Sequence, residues 1–186
     1  GLGDVYKRQA MMNQTATFNY TQTDDFSIAE LPYGNEAFSM VILLPSGDKT
    51  LDESLPSLNY ENWKQWSKNM VGKELQIKLP RFKVEYDKEL EEDMIAMGMK
   101  DAFDAYKAKF ANMSGAELYI GLLQQFTYIN VDEEGTEAAA VTVGGMFETS
   151  FDPSSPVPFF VNRPFAFMIK EKSTGAILFM GKITEL

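Results

Sequence analysis

The 186 residues contain no cysteine and no histidine. The first absence removes disulfides, thiol nucleophiles and thiolate metal sites. The second removes the usual general base and the commonest zinc ligand. A hydrolytic enzyme would lack both thiol and imidazole; a carboxylate dyad remains formally possible, but no paired motif supports it, so the sequence reads as a non-enzyme without a cofactor. Basic residues are outnumbered: 17 Lys and Arg against 27 Asp and Glu give a formal charge of −10, which argues against nucleic acid as a partner. No apolar run approaches the length of a membrane span, and the N-terminus lacks the basic-then-apolar order of a secretion signal, so no membrane partner is expected. One scarcity is local: neither lysine nor arginine occurs from Gly135 through Asn162.

What is present suffices for one domain with a real core, since 45% of the residues are hydrophobic. Residues 1–9 have no counterpart in the patterns that follow and are read as a non-native N-terminal scar, leaving 10–186 for the fold. Two apolar-rich runs, 26–33 and 37–45, are joined by Gly34 and Asn35, a hairpin signal. Residues 40–44 are apolar on both faces, as a strand covered on both sides should be. A turn at Ser46, Gly47 and Asp48 closes the hairpin; a phosphate loop there fails on glycine spacing and lacks the Lys-Ser/Thr pair.

Residues 59–70 carry Trp63, Trp66 and Met70 at helical spacing, with Asn59 as cap and Gly72 as stop. The tryptophans read as core anchors rather than a ligand box. Leu75, Ile77 and Leu79 alternate on odd positions and Phe82, Val84 and Tyr86 on even ones. A strand is therefore predicted to leave one sheet and enter another at Pro80, which has no amide donor. Residues 87–98 are expected to form an amphipathic helix with acids in its first turn. Its Glu91, Glu92 and Asp93 point in different directions and read as a solvated face, not a metal or acid–base cluster. Residues 118–131 read as one long strand, 153–158 as an exposed connector, and 159–165 with 174–184 as a hairpin.

The stretch 131–142 reads V-D-E-E-G-T-E-A-A-A-V-T. An acidic knot at Asp132, Glu133 and Glu134 meets Gly135, which tolerates backbone angles other residues avoid. In an extended chain Thr136, Ala138, Ala140 and Thr142 share one side, while Glu137, Ala139, Val141 and Val143 share the other. The first set is uniformly compact, so the segment could slide into a sheet above a filled core without collision. On propensity alone the same stretch is an alanine-rich helix start capped by Asp132 or Thr136.

Together with M-K-D-A-F-D-A-Y-K-A-K-F at 99–110, F-F-V-N-R-P-F at 159–165 and T-G-A-I-L-F-M-G-K-I-T at 174–184, this stretch resembles the hinge of a serpin reactive-centre loop. The resemblance begins at Ala10 with Met11 and Met12 and covers what corresponds to the C-terminal half of a serpin. It implies an α+β fold of mainly antiparallel sheets with a few short helices, completed by the missing N-terminal half of the same domain. It also implies an extracellular or periplasmic protein whose partners are serine proteases, with cysteine proteases as a further class. A protease would cut the loop at about 134–158, stay covalently attached, and be dragged away as the loop inserts into the central sheet. The 186 residues alone are expected to be inactive, because the receiving gap needs a strand from the missing half.

The resemblance also implies roles for individual residues. Glu133, Glu134, Gly135, Thr136, Glu137, Ala138, Ala139 and Ala140 form the hinge, and Glu133 is expected to pair with Arg81. Gln125 stands where relatives often carry histidine and cannot switch charge. Counting from Glu133, the scissile bond falls between Thr149 and Ser150, with Met146, Phe147 and Phe151 as rival positions. The absence of basic residues in the loop excludes trypsin-like targets, whose pocket holds an acid, in favour of elastase-, chymotrypsin- or subtilisin-like ones. Small residues at 138 and 140 separate this chain from non-inhibitory carriers or chaperones, the rival class.

Overall fold

The computed structural model describes residues 11–132 and 155–185. Its strands are β1 (Met11–Gln22), β2 (Phe26–Tyr33), β3 (Phe38–Pro45), β4 (Val71–Pro80), β5 (Phe82–Glu89), β6 (Gln124–Val131), β7 (Val157–Phe160), β8 (Phe165–Glu171) and β9 (Ile177–Ile183). The helices are short: α1 (Leu51–Ser54), α2 (Tyr60–Asn69) and α3 (Glu91–Ala96). The chain divides into two compact units, one of Gly1–Arg81 with Asp132–Leu186, the other of Phe82–Val131.

The larger unit is a seven-stranded sheet in the order β7-β4-β1-β2-β3-β8-β9, antiparallel except where β7 runs parallel to β4. Its centre is the predicted β2–β3 hairpin, whose tight turn places Gly34 and Glu36 at positive φ. Met40, Val41, Ile42, Leu43 and Leu44 are all buried, as a run apolar on both faces requires. One face packs Phe26, Ile28, Val41, Leu43, Ala166 and Met168 with Leu51 and Trp66, the latter meeting Phe26 edge-on at 5.9 Å. Both tryptophans are anchors as expected, Trp63 packing against the same cluster while partly exposed.

Local chemistry sets the helix starts. Thr50 and Glu53 close a capping box on α1, and Asn59 accepts from the Asn62 amide to begin α2. Gly72 does not stop α2; Met70 turns into extended backbone, and Gly72 already lies within β4. Pro158, placed by sequence in an exposed connector, belongs to β7, an edge strand where a missing amide donor is tolerated.

The smaller unit pairs β5 with β6 in an antiparallel ladder running from Phe82↔Val131 to Glu89↔Gln124. The expected change of sheet near Pro80 occurs: β4 and β5 belong to different sheets with Arg81 between them. Two expectations fail here. Residues 87–89 stay in β5 because they continue this ladder, so the helix begins only at Glu91 and has six residues. The strand predicted over 118–131 begins at Gln124, where pairing with β5 begins. Glu91 and Glu92 are exposed and Asp93 pairs with Lys88 at 2.6 Å, matching the solvated-face reading.

Candidate functional site

The hinge residues 133–140 and the bait positions Met146, Phe147, Thr149, Ser150 and Phe151 lie outside the described residues. The two roots from which that segment hangs are described.

The first root is β6. Its inward positions Ile129 and Val131 are buried, while Phe126 and Tyr128 are 72% and 60% exposed. One edge of β6 is paired with β5; the other carries no strand among the described residues. Lys83 lies over the Tyr128 ring at 5.1 Å and pairs with Glu85 at 2.6 Å. Gln125 donates to the Thr127 hydroxyl at 3.4 Å and stands opposite Lys88. The ladder's last pair on this side is Phe82↔Val131. One further step of the same register would set Arg81 across from Asp132. Glu133, the partner that the family resemblance implies for Arg81, is the next residue and lies outside the described residues.

The second root is β7, four residues long and paired with β4 from Leu75↔Val157 to Lys78↔Phe160. Phe159 is buried and meets Tyr20 edge-on at 6.3 Å, and Lys78 lies over the Phe160 ring at 4.6 Å. Just beyond β7, the buried Val161 donates its amide to the Lys78 carbonyl at 2.8 Å. Arg163 then donates through Nη2 to the Pro45 carbonyl at the end of β3, at 2.6 Å. Its Nη1 reaches the Asn162 side chain at 3.4 Å, while its Nε is buried without a hydrogen-bond partner. Sequence reasoning passed over Arg163, which is the one base of the F-F-V-N-R-P-F stretch at 159–165.

The sheet next to this root holds a second feature that sequence did not flag. Glu30 on β2 is buried, accepts from the Ser39 hydroxyl at 2.6 Å and from Asn19 at 3.3 Å, and pairs with Lys170 at 3.0 Å. Lys170 in turn lies 5.7 Å from the centre of the Trp63 ring. Burial pushes the Glu30 carboxyl upward, but hydrogen bonds from Ser39, Lys170 and Asn19 outweigh it and hold the group below its ordinary range. One carboxylate thus ties β1, β2, β3 and β8 together. Lys170 sits where the β8–β9 register shifts, as at a bulge that re-aims a side chain. Among the described residues no group of three or more acids is placed to hold a metal ion.

The sequence model of the family described as Serpin (serine protease inhibitor) matches residues 4–186. Human leukocyte elastase inhibitor is 36% identical over 190 residues, covering 96% of this chain and 49% of that protein. Among solved structures, native protease nexin-1 with heparin superposes with a TM-score of 0.77 at 32% identity, covering 95% of this chain and 47% of the other. The thermophilic serpin Tengpin in its native state gives 0.76 at 30% identity, covering 98% and 48%. The chain spans about half the length of the relatives it matches.

Proposed function

Because the chain belongs to the serpin family, we propose that the protein carrying it is an inhibitor of serine proteases that acts as a suicide substrate. The observation that carries this reading is the compact face of the arm after Gly135, where Thr136, Ala138, Ala140 and Thr142 offer nothing to obstruct entry into a sheet. β6 leads directly into that arm. Cleavage falls between Thr149 and Ser150, or at Met146, Phe147 or Phe151. The targets are elastase-, chymotrypsin- or subtilisin-like, since residues 135–162 present no basic side chain to a trypsin-like pocket. The name of the human relative, an elastase inhibitor, agrees with that choice. By family resemblance alone, the setting proposed is extracellular or periplasmic.

A second reading concerns the 186 residues by themselves. Phe126 and Tyr128 on β6 and Ile177, Leu178, Phe179 and Met180 on β9 are all exposed, more apolar surface than an inhibitor working alone would carry. We infer that the remaining half of the domain covers such surface, and that this chain without it does not inhibit.

The test is to restore the upstream half, mix the full-length protein with elastase- and chymotrypsin-like enzymes, and look for a denaturant-resistant conjugate. A released peptide beginning at Ser150 fixes the register. A cut loop with no conjugate means substrate behaviour and overturns the reading.

A further inference from the structure

We propose that Glu30 and Lys170 form a register key: the pair selects the one alignment in which β8 docks on β3, and its work is to reject other alignments rather than to add stability. Placement of the C-terminal strands precedes any inhibitory step, so the suicide-substrate reading plays no part in it.

The apolar pattern does not fix this alignment. From Met40↔Ile169 through Val41↔Met168 and Ile42↔Phe167 to Leu43↔Ala166, the β3–β8 ladder joins apolar residues only. Residues 40–43 and 166–168 are buried whichever face they point to, so no alternation of apolar and polar side chains tells one alignment from another. The information lies at the polar end of the ladder. Ser39 stands opposite Lys170 there, and Asn19 stands opposite Glu30. The Glu30 carboxylate accepts from Ser39 at 2.6 Å and from Asn19 at 3.3 Å. It meets the Lys170 ammonium at 3.0 Å, with the two charged side chains 7% and 15% exposed. Lys170 also lies 5.7 Å from the centre of the Trp63 ring, which holds it from the α2 side.

Shifted alignments are penalised in both directions. A slip of two residues, about 7 Å, leaves every side chain on its own face. Slipped one way, Met168 comes opposite Ser39 and the buried Glu30 carboxylate loses its base. Slipped the other way, Lys172 comes opposite Ser39, but Lys170 is driven opposite Val41 and Glu171 opposite Met40, positions that are 0% and 2% exposed. A slip of one residue turns Lys170 to the face away from Glu30. Each leaves a charge buried and unpaired. The correct pair is itself a small source of stability, because taking two charges out of water offsets most of their attraction, and a well-packed apolar pair does as well. Removing one partner strands the other; removing both leaves the alignment unmarked.

The experiment uses the full-length protein, with cysteine pairs reporting the alignment. F38C/E171C marks the native one, in which Phe38 faces Glu171, and F38C/I169C and F38C/S173C mark the two slips. Residues two apart from a facing pair lie too far away to be bridged without backbone movement. Each cysteine pair is placed in the wild-type and E30L/K170M backgrounds, and the protein is refolded, oxidised and quantified as cross-linked peptides by mass. The urea midpoint of each background is measured beside it. The expected result is a midpoint in E30L/K170M equal to or above wild type, together with an about tenfold or greater rise in a slipped cross-link, since the penalty on slipping is gone. The inference is overturned if E30L/K170M forms the 38–171 link alone, as wild type should. A midpoint well below wild type overturns it too, because the pair would then be holding the sheet together. If leucine and methionine do not pack and E30L/K170M fails to fold, E30Q/K170M, which removes both charges with little change of shape, decides on the same two readings.

Discussion

The Phe167 ring lies across Gly181 on the neighbouring strand, so close that a Cβ built at Gly181 would stand 3.0 Å from both Cε1 and Cζ. The two residues face each other in the β8–β9 register. Phe167 is 2% exposed, which leaves its ring little room to swing. Gly181→Ala should therefore destabilise the full-length protein by about 1–3 kcal/mol, the range for overpacking. Urea unfolding measures it. Combining the change with Phe167→Leu should cost less than the sum of the two, and strict additivity would show that the close approach carries no weight.

Glu30 is the polar centre of the sheet. Removing it strands Lys170, whose side chain is 15% exposed, without its counter-charge. Glu30→Ala should cost about 3–5 kcal/mol, as loss of one partner of a buried pair does. A loss of less than about 1 kcal/mol, typical of surface pairs, would show that the site is more solvated than its geometry indicates.

Acid sensitivity follows from two carboxylates. Glu171 accepts from the amides of Ser173 and Thr174 and from the Thr174 hydroxyl in the β8–β9 turn. Those hydrogen bonds, from Thr174 first and then Ser173, pull its pKa from 4.5 down to about 2. A depressed folded value means that the contribution is complete above about 4.5 and fades as pH falls toward 2. Glu30, also held low, acts with the same sign. Unfolding midpoints across that window should fall with acidity, and Glu171→Gln should flatten the slope. An unchanged slope in Glu171→Gln would place the acid sensitivity elsewhere.

The hinge makes its own demand on size. Ala138→Arg or Ala140→Arg should turn an inhibitor into a substrate: cleavage continues, while the share of encounters ending in conjugate drops severalfold or more. Conjugate yield unchanged by both substitutions would mean that these positions do not enter a sheet.

Arg81 is the expected partner of Glu133 at the start of the arm. Charge reversal, Arg81→Glu, should favour polymers formed by loop and sheet on mild heating, read as loss of monomer on native gels. The same monomer content as wild type would remove the pair from the account.

Much of the fold was legible because local signals agreed. The Gly34-Asn35 turn between apolar runs gave β2 and β3, Asn59 marked the start of α2, and the change of phase near Pro80 gave the passage between sheets. The errors arose where pairing decided the outcome. Residues 87–89 read as the first turn of a helix, yet partners on β6 keep them extended, and Gly72 reads as a stop although β4 pairs it with Asn19. Glu30 was invisible because a lone acid in an apolar strand looks solvent-facing until Ser39 and Lys170 are brought beside it. The candidate site was read from residues 133–151 by family pattern. The structure adds its two roots, and Arg163 in the second of them, which no local pattern marks as a long-range contact.

The central claim is that the alanine-lined arm becomes an interior strand once it is free. Some ten new ladder hydrogen bonds, at about 1 kcal/mol net each, would supply on the order of 10 kcal/mol, comparable with the whole stability of a domain. The direct measurement is the melting temperature of the full-length protein before and after a single cut within residues 135–158. The account predicts a large rise, with the attacking protease retained on the chain; an unchanged or lower melting temperature, with the protease free and active, would contradict it.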